Sequence, residues 1–106
     1  MAKFLVQASY TAEGLKGLMK DKATGRTAAV KKAVASLGGK VDALYWALGD
    51  DDAVLIVDLP DVQSAAALGI ATSATGLVRV KTTRLLTAEE VDAALGKTIK
   101  YRAPGK

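Results

Sequence analysis

The chain has 106 residues, half of them apolar and a quarter charged, which fits one small globular domain rather than a disordered segment. It contains no cysteine and no histidine, which excludes disulfides, thiolate chemistry, cysteine-based zinc sites and histidine-dependent catalysis. The formal charge is +4, and residues 97–106 carry four basic residues and no acid. The rest of the chain is therefore neutral overall, and the high isoelectric point does not indicate a nucleic-acid-binding protein.

The first predicted element is a strand over residues 3–10. Apolar and polar residues alternate there, which is typical of a strand with one buried face. The alternation does not decide which face meets the helices. One face carries Phe4, Val6, Ala8 and Tyr10, and the other carries Lys3, Leu5, Gln7 and Ser9.

A helix in two segments is predicted next. Thr11 is a favourable N-cap, and the glycines from Gly14 to Gly25 weaken the helical pattern. We therefore predict that the first segment ends or kinks near residues 21–25. Apolar residues at helical spacing resume after Arg26, and Gly38-Gly39 ends the helix.

Two further strands are predicted over residues 41–48 and 52–59. The turn Gly49-Asp50-Asp51 joins them, because glycine and aspartate tolerate turn dihedrals. The second of these strands is almost wholly apolar, which indicates a central strand covered on both faces.

The last three predicted elements are a helix, a strand and a short helix. Residues 61–75 are mostly small and follow Pro60, and residues 77–85 alternate as a strand does. Thr87 and Glu90 form a capping box, which opens a short helix that ends at Gly96.

The order β-α-β-β-α-β plus a terminal helix predicts an α+β, ferredoxin-like fold. Right-handed crossovers place both main helices on one face of a four-stranded antiparallel sheet, with the first and third strands at its centre. We predict one domain over residues 1–96 and a basic, flexible tail over residues 97–106. Because the second sheet face is left uncovered, we expect a homo-oligomer, a dimer or higher.

Several short motifs lie at the boundaries of the predicted elements: Tyr10-Thr11-x-x-Gly14, Gly38-Gly39-Lys40, Gly49-Asp50-Asp51, Asp58-Leu59-Pro60-Asp61 and Gly76-x-Val78-Arg79-x-Lys81-Thr82. Over about residues 2–95, they resemble the motifs of the GYD domain family. The resemblance implies a ferredoxin-like fold of the dimeric α/β-barrel type. It implies no established activity, so no catalytic residue is transferred. The triplet that gives the family its name reads Gly49-Asp50-Asp51 here, with Asp50 at the tyrosine position.

The acidic turn is a candidate cation site. Asp50, Asp51 and Asp52, with Asp58 further along, supply the carboxylate oxygens that Mg²⁺ and Ca²⁺ prefer. Three adjacent carboxylates seldom converge on one ion, and the spacing of an EF-hand is missing. We therefore favour a solvated turn that resists edge aggregation, and predict no metal site and no cofactor.

The candidate ligand site lies on one face of neighbouring strands. Arg79 and Lys81 share a face of the last strand, which should lie beside Gln7 and Ser9 of the first. An arginine fork matches a small carboxylate, so Arg79 is the predicted donor to an anionic ligand. An interface that pairs these groups across a dimer, or a solvated face, is the alternative. The predicted ligand-binding residues are Gln7, Ser9, Tyr45, Arg79 and Lys81.

The sequence thus predicts a homo-oligomeric module that binds a small anionic molecule at its sheet face. One alternative is a cofactor-free enzyme of the dimeric α/β-barrel type, with a Tyr, a Lys or a carboxylate such as Asp58 as acid or base. Local capping or pairing of Asp58 is the commoner role for such a residue, and the lack of histidine weighs against the enzyme. The other alternative is a purely structural assembly subunit.

Partners and location follow from what the sequence lacks. The strand over residues 52–59 has no aromatic residue on which a base would stack, so no specific nucleic-acid partner is expected. No apolar run approaches the roughly 20 residues that span a bilayer. The first six residues are too polar for a secretory signal. We expect a cytoplasmic protein with no membrane partner.

Overall fold

A computed structural model describes residues 1–106. The strands form one antiparallel sheet in the order β2-β3-β1-β4. The predicted α+β ferredoxin-like fold is confirmed, including the central place of β1 and β3 and the short helix after the last strand. The elements are β1 (Ala2–Tyr10), α1 (Ala12–Ser36), β2 (Lys40–Trp46), β3 (Ala53–Leu59), α2 (Val62–Ser73), β4 (Val78–Leu85) and α3 (Ala88–Leu95).

The core lies between the sheet and the two main helices. Phe4 and Val6 of β1 and Leu55 of β3 are buried together with Val34 of α1 and Ala65 of α2. The face of β1 that carries Phe4 therefore meets the helices, a choice that the alternation along the strand does not decide. We call the opposite side, which neither main helix covers, the open face. From β1 it carries Lys3, Leu5, Gln7 and Ser9.

A bulge in β2 changes which side chains share a face. The pairing with β3 slips by one residue between Val41 and Ala43, so Asp42 is the extra residue. Val41 packs against the core, whereas Tyr45 is 73% exposed and lies on the open face. Strict alternation along the predicted strand over residues 41–48 would put Val41 and Tyr45 on one face. This expectation is wrong, because alternation has no place for the extra residue.

Side-chain caps set the helix boundaries. Thr11 accepts a hydrogen bond from the backbone N–H of Gly14, and Asp61 accepts one from the backbone N–H of Ser64. With Asp61 as the cap and Ser73 as its last residue, α2 is shorter at both ends than the predicted span of residues 61–75. The predicted capping box of α3 is confirmed, and a hydrogen bond from Arg84 lowers the pKa of Glu90 to about 2.

The predicted kink in α1 is confirmed and lies at Lys22. This residue has φ 66° and ψ 164°, a conformation that glycine adopts far more readily than lysine. Two helical segments therefore meet at a strained residue, and Asp21 and Arg26 lie on the two sides of it.

Replacing Lys22 with glycine is expected to raise the free energy of unfolding by about 1 kcal/mol. The strain of a non-glycine residue in this region costs about 1–3 kcal/mol, and the extra freedom of glycine in the unfolded chain offsets about 1 kcal/mol of the gain. Urea denaturation measures the change. Ala23→Gly, one residue further into regular helix, is the control and should destabilise by about 1 kcal/mol. Equal destabilisation by both changes would show that Lys22 is not strained.

The C-terminal helix stands apart from the core. Every residue of α3 and of residues 97–106 is exposed, and the molecule measures 56 × 34 × 23 Å along its principal axes. Arg84 of β4 holds the first turn of α3 through an ion pair of 2.8 Å with Glu90. None of the helices combines the length and the apolar character needed to cross a membrane.

Candidate functional site

Four of the five predicted ligand-binding residues lie together on the open face. Gln7 is directly opposite Lys81, and Ser9 is directly opposite Arg79, across the β1–β4 pairing. Tyr45 lies in the same cross-strand row as Gln7, but Val54 separates them. Two strand spacings amount to about 10 Å, so Tyr45 forms a separate, exposed point on the same face.

An aspartate from the hairpin contacts three of these four residues. The carboxylate of Asp51 accepts hydrogen bonds from the amide of Gln7 at 2.9 Å and from the hydroxyl of Ser9 at 3.2 Å. The ammonium of Lys81 lies 3.6 Å from the same carboxylate, whose side chain is only 15% exposed. We call Gln7, Ser9, Asp51 and Lys81 the polar cluster.

Sequence reasoning missed Asp51 as a site residue and left it in a solvated turn. A usable signal was present in the topology. Since β3 runs antiparallel to β1, the start of β3 lies beside the end of β1, which brings the acidic turn next to Ser9. The charge of Lys81 is therefore partly balanced within the chain, and the set is less cationic than its sequence indicates.

Arg79 differs from the other basic residues of the sheet. The strands carry five basic side chains, and four of them lie within 4.0 Å of a carboxylate. The fifth is Arg79, which is exposed beside Ser9 and has no acidic partner in the chain. Its guanidinium is free to form a bidentate contact with an added carboxylate.

A second ionic group occupies the far end of the open face. Lys3 donates to both oxygens of Asp58, at 3.0 and 3.1 Å, and also to Asp42 on the bulge of β2. Lys40 completes the group at 3.8 Å from Asp42. The bond from Lys3 keeps the pKa of Asp42 below its usual value, and the bonds to Asp42 and Asp58 raise the pKa of Lys3. Asp58, the candidate acid or base, is thus a buried and ion-paired carboxylate.

Apolar side chains fill the middle of the open face between the two ionic groups. Leu5 is opposite Ile56 of β3 and opposite Thr83 of β4, and Ala43 of β2 is opposite Ile56. Val54 adjoins this row and the polar cluster. These residues are half-buried by their neighbours on the sheet, except for Thr83, which is exposed.

The aspartates of the turn point to different partners. Asp51 accepts a hydrogen bond from Gln7 within the polar cluster, and Asp52 accepts one of 2.7 Å from the backbone N–H of Tyr10. Asp58 lies at the other end of the sheet, beside Lys3. No three acidic side chains are placed to hold a metal ion.

Comparison with known proteins yields a family but no characterised relative. The family described as GYD domain matches residues 4–95 of the 106-residue chain. No curated protein and no solved structure matches. The match covers the two main helices, α3 and the sheet apart from the first two residues of β1.

Proposed function

Since the chain belongs to the GYD domain family, we propose that it is a self-associating module that holds a small carboxylate-bearing molecule at Arg79 on its open face. The unpaired guanidinium of Arg79 is the observation that carries the proposal. Every other basic side chain on the strands has a carboxylate partner, so Arg79 alone offers its full set of donors to an added anion.

The pattern of the open face supports self-association. A central apolar row that contains Leu5 and Ile56 is bounded at one end by the Lys3 group and at the other by the polar cluster. An apolar centre with a polar rim is the usual anatomy of a protein interface. Because the charges at both ends are largely balanced within the chain, a second copy would bury the centre without facing strong repulsion.

The neighbours of Arg79 support a small anionic ligand. Ser9 lies directly across from Arg79. The carboxylate of Asp51 accepts hydrogen bonds from Gln7 and Ser9 and forms an ion pair with Lys81. Asp51 excludes an anion from the middle of the polar cluster by charge repulsion. The ligand carboxylate therefore binds at the Arg79 end, where no acidic side chain competes for the guanidinium.

Replacing Arg79 with glutamine is expected to weaken the binding of succinate by about ten- to a hundredfold. A hydrogen-bonded contact to a charged group contributes about 1.5–3 kcal/mol, which corresponds to that range of dissociation constants. Isothermal titration at low ionic strength measures the change. Arg102→Gln removes the same charge from the exposed C-terminal residues and is the matched control, with little expected effect.

The outcomes separate the proposal from its alternatives. Equal affinities in wild type, Arg79→Gln and Arg102→Gln would contradict a site at Arg79. A purely structural subunit would self-associate and bind no succinate. A cofactor-free enzyme would turn over its substrate. Loss of that turnover on replacing a polar-cluster residue would favour the enzyme over the binding module.

A further inference from the structure

A cavity lies on the other side of the sheet, between the sheet, α1 and α2. Its volume is about 110 Å³, and most of its wall is apolar. The space exists because small residues stand where larger ones would fill it: Ala29 and Ala33 on α1, Ala53 on β3 and Gly69 on α2. An engineered apolar cavity of about 150 Å³ stays dry and binds benzene, so the smaller volume here suits a compact apolar group.

A second chamber adjoins the first and is more polar. It measures about 200 Å³ and lies below the first segment of α1, with Asp21 and Thr75 in its wall. Tyr10, Arg26 and Thr72 border both chambers. Together the chambers reach about 300 Å³, the lower end of the range for small-molecule sites.

Three side-chain donors at these chambers lack an acceptor in the chain. The side chain of Arg26 is two-thirds covered, yet its nearest carboxylate oxygen, on Asp21, is 3.8 Å away and too far for a hydrogen bond. The hydroxyl of Tyr10 and the indole N–H of Trp46 also make no hydrogen bond within the chain, although their rings lie 6.0 Å apart at the wall of the inner chamber. Each of these donors still reaches solvent, so a ligand acceptor at the chambers would replace water rather than fill an unsatisfied buried bond.

We propose that the two chambers form a binding site for a small organic acid with a compact apolar body. The body occupies the inner chamber, where it displaces no well-bonded water because the wall offers few polar groups. The carboxylate lies at the boundary between the chambers, where it accepts hydrogen bonds from the guanidinium of Arg26 and the hydroxyl of Tyr10. Arg26 carries the positive charge of this site. Asp21 lies 3.8 Å from it and is half exposed, so the Asp21 side chain turns toward solvent when a ligand carboxylate takes its place.

This site is separate from the one at Arg79. The two lie on opposite sides of the sheet, and no residue of the polar cluster borders either chamber. The kink at Lys22 lies between Asp21 and Arg26, which both border the outer chamber.

The chain's single tryptophan reports on the proposed site, because Trp46 borders the inner chamber. Titrating the protein with benzoate or hexanoate should change Trp46 fluorescence at millimolar or lower concentration. Acetate lacks the apolar body and benzyl alcohol lacks the charge, so each should bind at least tenfold more weakly. Equal responses to all four probes, or no response to benzoate and hexanoate, would overturn the proposal.

Three variants locate the binding. Arg26→Gln should weaken benzoate binding at least tenfold, and Ala33→Leu should abolish it by filling the inner chamber while the protein remains folded by circular dichroism. Arg102→Gln removes a charge outside both sites and should leave the benzoate response of Trp46 unchanged, and succinate binding at Arg79 is measured separately by calorimetry. Retained binding in both Arg26→Gln and Ala33→Leu contradicts the proposal. Should Ala33→Leu fail to fold, Gly69→Ala is the second filling variant, since its added methyl group fits at 3.7 Å from Val80.

Discussion

Replacing Gly14 with alanine is expected to lower the free energy of unfolding by about 3 kcal/mol. A Cβ atom at this position would lie 1.8 Å from the backbone oxygen of Leu77, so either α1 or the start of β4 must move. The same carbonyl accepts a hydrogen bond of 3.0 Å from the backbone N–H of Thr11, and the displacement would stretch that bond as well. Overpacking of this kind costs about 1–3 kcal/mol even when flexible side chains can yield, and here the obstacle is backbone. Chemical denaturation measures the loss.

Gly17→Ala is the matched control, one turn further along the same helix. No atom lies within 4 Å of the position of its added Cβ, and alanine is the better helix former by about 1 kcal/mol. This variant should therefore be more stable than the wild type. The free energies of unfolding of the two variants should differ by about 4 kcal/mol. Two variants of equal stability would refute the close approach of Gly14 to Leu77.

Close backbone approach explains the motifs that carry the family resemblance. Gly14 of the first motif meets Leu77, which stands inside the last motif. In the same way, a Cβ on Gly39 would lie 2.2 Å from the carbonyl oxygen of Asp58 and 2.7 Å from the side chain of Leu59. The motifs therefore meet in pairs at the ends of the sheet. The motifs are needed where the helices join the strands. For this reason they identify the fold and do not indicate a catalytic or binding activity.

The features that the sequence predicted correctly depend on neighbours along the chain. The kink at Lys22, the cap at Thr11 and the capping box at Thr87 each follow from residues within one or two helical turns. The order of the strands follows from chain connectivity, because a right-handed crossover leaves few arrangements. The fold could be predicted for this reason, without any knowledge of packing.

The features that escaped prediction depend on contacts between distant segments. The bulge at Asp42 brings that carboxylate to Lys3, 39 residues away, and no local pattern marks it. Asp51 reaches Gln7, 44 residues away, so the candidate site gained an acid that alternation along β1 and β4 does not reveal. The cavity beside Arg26 arises from small residues on three elements together, each of which reads as ordinary by itself.

The open face combines two properties that bear on self-association. Apart from Arg79, the charges at its ends are balanced, and its centre carries Ile56 and Leu5, which lie directly opposite each other on the two central strands. In a symmetric dimer each copy would present the same row, so one substitution acts twice. The change in the free energy of association is therefore larger than the loss of one side chain would give.

Replacing Ile56 with lysine is expected to weaken self-association at least a hundredfold. Burial of an isoleucine contributes about 1.5–3 kcal/mol, and two copies lose about 3–6 kcal/mol, before the cost of placing two ammonium groups at an apolar centre. Sedimentation velocity over a range of protein concentrations measures the change. Ile70→Lys makes the same substitution on the outer surface of α2, where Ile70 is 70% exposed, and should leave the mass unchanged. Self-association would have to use another surface if Ile70→Lys dissociated the protein and Ile56→Lys did not. A wild-type chain that sediments as a monomer at high concentration would remove self-association from the proposed function, and the site at Arg79 would then be open to solvent.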